Sequence, residues 1–313
     1  MLTLEKALEL FLIDQKLKGN TDKTIFNYER FLSYFIDFIG KDKLVTDITL
    51  LDLKQYQLYL GSKDKEYNFK TNKKEKLSKT TIQTYIRQLR AFINWLYNEA
   101  YIKENLAERF KLPKAPKKTI EILSDEEIEI LYKSINDKTE FGLRNKCMIS
   151  LMLDSGLRSN EVIELKVENV HFTQNVIKVY GKGQKERIVP LGLYTKKLLF
   201  KYLNGYRPMP EYPTTHVFIS QNKTPVSKDV IKMIFVRLKK KTGIERLHPH
   251  ILRHTFATKY LINGGDIFTL QQILGHTSLE MTRRYSHLAS SYVMKNFKRL
   301  SPLDNLRAKN IKL

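Results

Sequence analysis

At 313 residues the chain is long for one core and suits two domains, and the 42% of its residues that are hydrophobic can supply both. Lysine and arginine outnumber aspartate and glutamate by 55 to 33, a formal charge of +22 that makes a polyanion, nucleic acid first, the natural partner. One cysteine, Cys147, gives no disulfide framework and no cysteine-based metal site, and no apolar run approaches the ~18 residues of a membrane span, which excludes secreted miniproteins, membrane proteins and acidic disordered chains.

Leu4, Ala7, Leu8, Phe11 and Leu12 recur at helical spacing, and the acidic Glu5, Glu9 and Asp14 among them are unlike a signal or transit peptide. Ile25, Tyr28, Phe31, Leu32 and Phe35 predict a second helix. Gly61 to Ser78 is polar, rich in lysine and without hydrophobic period, which reads as a connection whose lysines are either solvated or in contact with phosphate. Ile82, Tyr85, Ile86, Leu89, Ile93 and Leu96 predict a further helix. Leu112-Pro113-Lys114-Ala115-Pro116-Lys117-Lys118 then disfavours helix and places a linker. Residues 1–118 carry 23 cations against 15 anions and the remainder 32 against 18, so both halves are basic.

Beyond the linker, Ser124 with Glu127, ahead of Ile128, Leu131 and Ile135, is a capping-box helix start. Val176 to Tyr180, Gly181-Lys182-Gly183 and Arg187 to Leu191 read as a β-hairpin. Helices return from His248: Pro249 suits a first turn, Gly264-Gly265 and Gly275 suit helix ends, and Thr277 with Glu280 suits the start of a helix carrying Tyr285.

No phosphate-binding G-x-x-x-x-G-K-[ST] is present, because Gly181-Lys182-Gly183-Gln184-Lys185 lacks its spacing and hydroxyl. There is no H-E-x-x-H, and His250 with His254 lack a third zinc ligand. No metal and no cofactor are therefore expected. Five segments occur in order instead: Ser155-Gly156-Leu157-Arg158-Ser159-Asn160-Glu161, Gly181 to Arg187, His248-Pro249-His250-Ile251-Leu252-Arg253-His254-Thr255, Leu274-Gly275-His276 and Arg284-Tyr285. Each alone has an ordinary packing explanation; together they gather arginines, lysine, histidines and a tyrosine. Guanidinium forks bind non-bridging phosphate oxygens and stabilise the charge that develops there during transfer. A phenol near pKa 10 is about 4 kcal/mol from its ionised form at pH 7, a deficit that neighbouring cations and a histidine base offset. A lysine can protonate the departing alkoxide, so the set of groups that phosphodiester transfer wants is complete without a metal.

Residues 144–290 resemble the catalytic domain of the tyrosine recombinases, the phage-integrase and Xer group, and residues 3–112 resemble its helical core-binding domain through Asn20 to Phe35 and Ser78 to Leu112. The resemblance implies a mostly α-helical fold with a small antiparallel β-sheet, arranged as a two-domain C-shaped DNA clamp: residues 1–112 as DNA-binding domain, 113–119 as linker and 120–313 as catalytic domain. It implies catalytic Arg158, Lys182, His250, Arg253, His276 and Tyr285, with Glu161 orienting the site. Arg158, Arg253 and His276 would hold the phosphate, His250 would assist deprotonation, Tyr285 would attack and Lys182 would protonate the 5′-oxygen. DNA contacts are expected near Thr24, Asn27, Thr81, Arg87 and Arg90, where polar and basic side chains interrupt the apolar stripes. Lys185 and Arg187 either touch the DNA backbone or lie on the hairpin edge. His254 reads as a packed helix residue, and His171, His216 and His287 as structural or exposed.

The implied partners are a double-stranded target site and, on it, a homotetramer whose segment 290–313 docks between neighbours, with the free protein a monomer and an accessory or partner recombinase possible. Affinity carried by phosphates should fall steeply with salt. The expected location is cytoplasmic, on the nucleoid, with no membrane partner. The absence of an arm-binding module ahead of residue 1 disfavours integrases that use distant arm sites. Integration and excision of a mobile element is the first biological reading, with Xer-like dimer resolution or inversion as the alternative. A DNA-binding protein that never cuts and a type IB topoisomerase remain as rivals.

Overall fold

The computed structural model describes residues 2–63, 76–114, 120–181, 186–285, 301 and 303. The chain divides into two units, Met1–Lys118 and Thr119–Leu313, each with its own core.

The first unit is helical: α1 (Leu4–Leu17), α2 (Asp22–Ile39), α3 (Leu50–Ser62), α4 (Lys79–Asn98) and the short α5 (Leu106–Arg109). Thr3, Thr21, Thr49 and Ser78 cap the four long helices, each hydroxyl accepting a first-turn amide. The predicted stripes face inward, so that Phe11, Leu32, Phe35, Leu89, Phe92 and Leu96 form one cluster. Phe11 meets Tyr28, Phe92 and Trp95 edge to face, the arrangement that ring quadrupoles favour. Helix α3 was not among the predicted elements. Its inward stripe is only Leu53, Tyr56 and Leu60, while Leu51 and Leu58 face solvent and blur the period.

The second unit packs α6 (Asp125–Lys133), α7 (Glu140–Asp154), α8 (Ser159–Ile163), α9 (Leu193–Lys201), α10 (Lys228–Thr242), α11 (Pro249–Ile262) and α12 (Ile267–Leu274) around one core, with a further helix across 279–285. Helix α7 is its centre. Cys147, Met148, Leu151 and Met152 are buried in the same cluster as Ile251 and Leu252 of α11. The Ser124–Glu127 capping box forms and starts α6. Thr255 ties the segment ahead of it to α11 by accepting from the Leu123 amide while donating to the Ile251 carbonyl.

The sheet is antiparallel, in the order β1 (Val170–His171), β2 (Val176–Tyr180), β3 (Glu186–Pro190). Ile177 and Val179 of β2 and Val189 of β3 turn into the core, and Arg187, two residues before Val189, shares its face. The mostly helical architecture with a small antiparallel sheet is the one expected. Among the described residues no helix is long and apolar enough to cross a membrane.

Candidate active site

The chain leaves α7 through Gly156, whose φ of +65° favours glycine; a Cβ there would lie 2.4 Å from a Phe256 ring carbon. This turn delivers Arg158 to the start of α8. Glu161, three residues on, accepts from the Arg158 amide at 2.8 Å and pairs with its guanidinium at 2.8 Å. The same carboxylate receives a two-pronged bond from Arg187 of β3, Nη1 to Oε1 and Nη2 to Oε2, both 2.8 Å. Burial alone would raise the Glu161 pKa, but Arg187 and Arg158 outweigh it and hold the carboxyl below its usual range.

The C-terminal end of α12 gathers three arginines. Arg187 Nε donates to the Ile273 carbonyl at 2.7 Å, Arg253 Nη2 to Leu274 at 2.6 Å and Arg158 Nη2 to Gly275 at 3.4 Å. A helix end leaves its last carbonyls unpaired and carries partial negative charge, so three consecutive acceptors meet three cations. Arg253 completes its hold by donating Nη1 to the Gly156 carbonyl at 2.6 Å. It is 4% exposed, and among the described residues no carboxylate bonds it directly. Burial and then Arg158 lower its pKa, the signature of a cation short of an anion.

His276 Nε2 lies 3.3 Å from Arg253 Nη2, and its Nδ1 lies 2.9 Å from Thr282 Oγ1. Burial, followed by Arg253, Arg158 and Arg187, lowers its pKa to about 4, so the ring is neutral at pH 7. Arginine only donates; Nε2 is therefore the acceptor and Nδ1 carries the hydrogen toward Thr282. The Tyr285 ring stacks on His276 with centroids 6.4 Å apart, and its hydroxyl is 2.8 Å from His254 Nδ1. Burial raises the Tyr285 pKa, opposed by Arg253, Arg284 and Arg158. A cleft of about 800 Å³ opens beside these groups, lined by Arg158, Arg187, Gly275, His276, Thr277 and Met281 among others. Among the described residues no cluster of three His, Cys, Asp or Glu side chains is placed to hold a metal ion.

Residues 121–291 match the phage integrase family and residues 9–112 match the phage integrase SAM-like domain. The chain belongs to the phage integrase family of tyrosine recombinases. As a tyrosine recombinase it is an enzyme of site-specific DNA recombination. It is 31% identical to the tyrosine recombinase XerC of Bacillus licheniformis over 291 residues, covering 87% of this chain and 96% of that one. It is 29% identical to XerD of Listeria innocua over 303 residues, 96% and 98% of the two chains. In fold it is similar to the Tn1549 transposon integrase, with a TM-score of 0.76, 20% identity and coverage of 96% and 100%.

In this tyrosine recombinase, Arg158, Glu161, Arg253, His276 and Tyr285 are joined through the contacts above. His250 sits on the first turn of α11, open to solvent; what burial its ring has, then Arg253 and Arg158, lower its pKa. Lys182 and Lys185 lie outside the described residues. Arg187 was expected either against the DNA backbone or on the hairpin edge. It lies on β3, an edge strand of the sheet, and lines the cleft, with its side chain 11% exposed because strand alternation turns it inward with Val189 onto Glu161. His254, read as a packed helix residue, is half-buried and also bonds the Tyr285 hydroxyl through Nδ1. Its place one turn after His250 was the available signal.

The residues expected to touch DNA in the first unit divide. Arg87 is exposed on α4 and Asn27 half-buried on α2. Arg90, by contrast, donates Nε to the Ala107 carbonyl at 3.1 Å and braces α5. The hydroxyls of Thr24 and Thr81 are engaged with those of Thr21 and Ser78, the caps of their helices. Their polarity serves helix starts, which explains its interruption of the apolar stripes.

Proposed function

We propose that this recombinase cuts and rejoins duplex DNA through a 3′-phosphotyrosyl intermediate. Arg158 and Arg253 hold the scissile phosphate, and His276 joins them in the tautomer that carries its hydrogen on Nε2, with Nδ1 then accepting from the Thr282 hydroxyl. The Tyr285 oxygen bonds to phosphorus, its proton passes to His250, the bond from phosphorus to the 5′-oxygen breaks, and Lys182 gives that oxygen a proton. The 5′-hydroxyl of a partner strand then attacks the phosphotyrosine and releases Tyr285. Two rounds pass through a Holliday junction, with no metal and no ATP. The observation that carries this reading is Arg253, a buried cation without a carboxylate partner among the described residues, next to Arg158, which is 34% exposed beside the cleft. An anion with several oxygens complements that pair.

The biological role we propose is integration and excision of a mobile element, supported by the similarity in fold to a transposon integrase. Xer-like resolution is the second reading, favoured by the XerC and XerD relatives that match along nearly their whole length. The protein works in the cytoplasm on nucleoid DNA, as a tetramer on its double-stranded target site and with a partner recombinase where the site is asymmetric. Residues 1–112 supply a DNA-binding domain and 120–313 the catalytic domain, joined by the linker 113–119. Arg87 and Asn27 face DNA in the first, and Lys185 lies along the backbone in the second. The segment 290–313 docks between neighbours; residues 286–300 and most of 301–313 lie outside the described residues.

The deciding experiment incubates the protein with nicked target DNA in EDTA and resolves the products under denaturing conditions. A covalent adduct is expected, and Tyr285→Phe should abolish it while DNA binding persists. An adduct that needs magnesium would instead point to metal-dependent strand transfer, and site-independent relaxation of supercoils to a topoisomerase. Sequencing the trapped DNA separates element ends from a chromosomal resolution site.

A further inference from the structure

We propose that His254 is a positioning residue that stores the Tyr285 hydroxyl on its Nδ1, away from the phosphate cleft, and that breaking this hydrogen bond precedes attack. The inference rests on Tyr285 being the nucleophile. Three observations carry it. The hydroxyl and Nδ1 are 2.8 Å apart, and Tyr285 is only 4% exposed. The ring is one member of a buried cluster with Ala257 and Leu261 of α11 and Leu270 and Leu274 of α12. The cleft beside the arginines is lined by Arg158 and His276 and does not include Tyr285.

Helix geometry adds the direction. Consecutive residues on a helix project about 100° apart, so His254, which binds the hydroxyl, and Arg253 leave α11 in different directions, while the Tyr285 ring lies against His276 of the cleft lining. His250, one turn before His254, stands between the two directions, beside Arg253 three residues on. Burial, then His250, Arg284, His248 and Arg253, push the His254 pKa to about 4, so the ring is neutral at pH 7. With its hydrogen on Nε2, Nδ1 accepts from the phenol. The stored tyrosine is thus packed, hydrogen-bonded and harder to ionise than a free one, each a reason for it to stay un-ionised until DNA draws it out.

Nitration by tetranitromethane near pH 8, read at each tyrosine by mass spectrometry on the full DNA-free chain, tests the storage contact. It modifies accessible phenolate, so wild-type Tyr285 should react far more slowly than Tyr212, which is 69% exposed. His254→Phe removes the acceptor and leaves a buried hydroxyl unpaired; Tyr285 nitration should rise about tenfold, and so should the initial rate of adduct formation on nicked DNA. His254→Asn, whose Oδ1 replaces Nδ1 as acceptor, should keep Tyr285 protected. Tyr202, fully buried in the same unit, reports on the fold and should stay unreactive throughout; if the Phe variant exposes it, His254→Leu repeats the test. Wild-type Tyr285 as reactive as Tyr212, or nitration unchanged without the acceptor, overturns the proposal, as does a slower adduct in a folded variant, the result a purely structural histidine would give. Nitration needs no DNA, so a wild-type protein that forms no adduct counts against the phosphotyrosyl reading and leaves this result to be judged by itself.

Discussion

Glu161→Ala should destabilise the Thr119–Leu313 unit by about 3–5 kcal/mol, the cost of leaving buried partners of an ion pair uncompensated. For a unit of this size the unfolding midpoint should fall by about 6–20 °C. The carboxylate is 5% exposed in its side chain and Arg187 11%, so solvent cannot replace what the substitution removes. Cleavage should fall with it, because Arg158 and Arg187 lose the group that aims them. Glu161→Gln retains the volume and two of the acceptor sites, and a smaller loss is expected. The same carboxyl makes an acid-side prediction. Its folded-state pKa lies below its unfolded value, so its contribution is complete above the ordinary glutamate pKa of about 4.3 and is lost as pH falls through the depressed value. Thermal unfolding from pH 3 to 7 should therefore show wild type and Glu161→Gln converging in acid. A constant gap between them would show that the carboxylate's charge has no part in stability.

Arg253→Ala should lower the rate of adduct formation by about 10²–10³ or more, since it removes a buried, fixed donor aimed at developing charge. DNA affinity should change little. One phosphate contact among many disappears, and the slope of affinity against salt should fall by about one. Arg253→Lys should fail to rescue. The guanidinium spans the Gly156 and Leu274 carbonyls and His276 at once, which a single ammonium on a flexible stem cannot reproduce. Single-turnover cleavage on nicked DNA and a titration of binding at several salt concentrations read the two halves of this prediction separately.

Inward stripes disclosed α1, α2 and α4 in the sequence, while α3, α7, α9 and α10 were not among the predicted elements, although Ile231, Ile234, Phe235 and Leu238 give α10 such a stripe. Ile86, Leu89, Ile93 and Leu96 repeat at three and four residues and all four are buried, whereas α3 was missed because Leu51 and Leu58 sit exposed among its inward residues. Most of the candidate site was legible as a set of residue types in order, and the contacts were not. Arg158 meets the Gly275 carbonyl across 117 positions, and Arg187 meets Ile273 across 86. No local period encodes such distances. Arg187 could have been placed, since it stands two residues before Val189 and strands alternate. His254 was harder: one histidine of an i, i+4 pair must be favoured over the other, and only the position of Tyr285 does so.

The three acceptors at the end of α12 belong to the main chain, and this bears on how the enzyme can be altered. A peptide oxygen neither titrates over the working range nor vanishes on substitution, so exchanging the side chains of Ile273 or Leu274 leaves a place for each guanidinium. Adding or deleting one residue within α12 is a different matter. It would turn every following carbonyl by about 100° about the helix axis and scatter the arginines at a stroke. Variation in length, more than variation in letters, is what this corner of the enzyme forbids, and efforts to redirect it to new DNA targets should hold the spacing from Asp266 to His276 fixed.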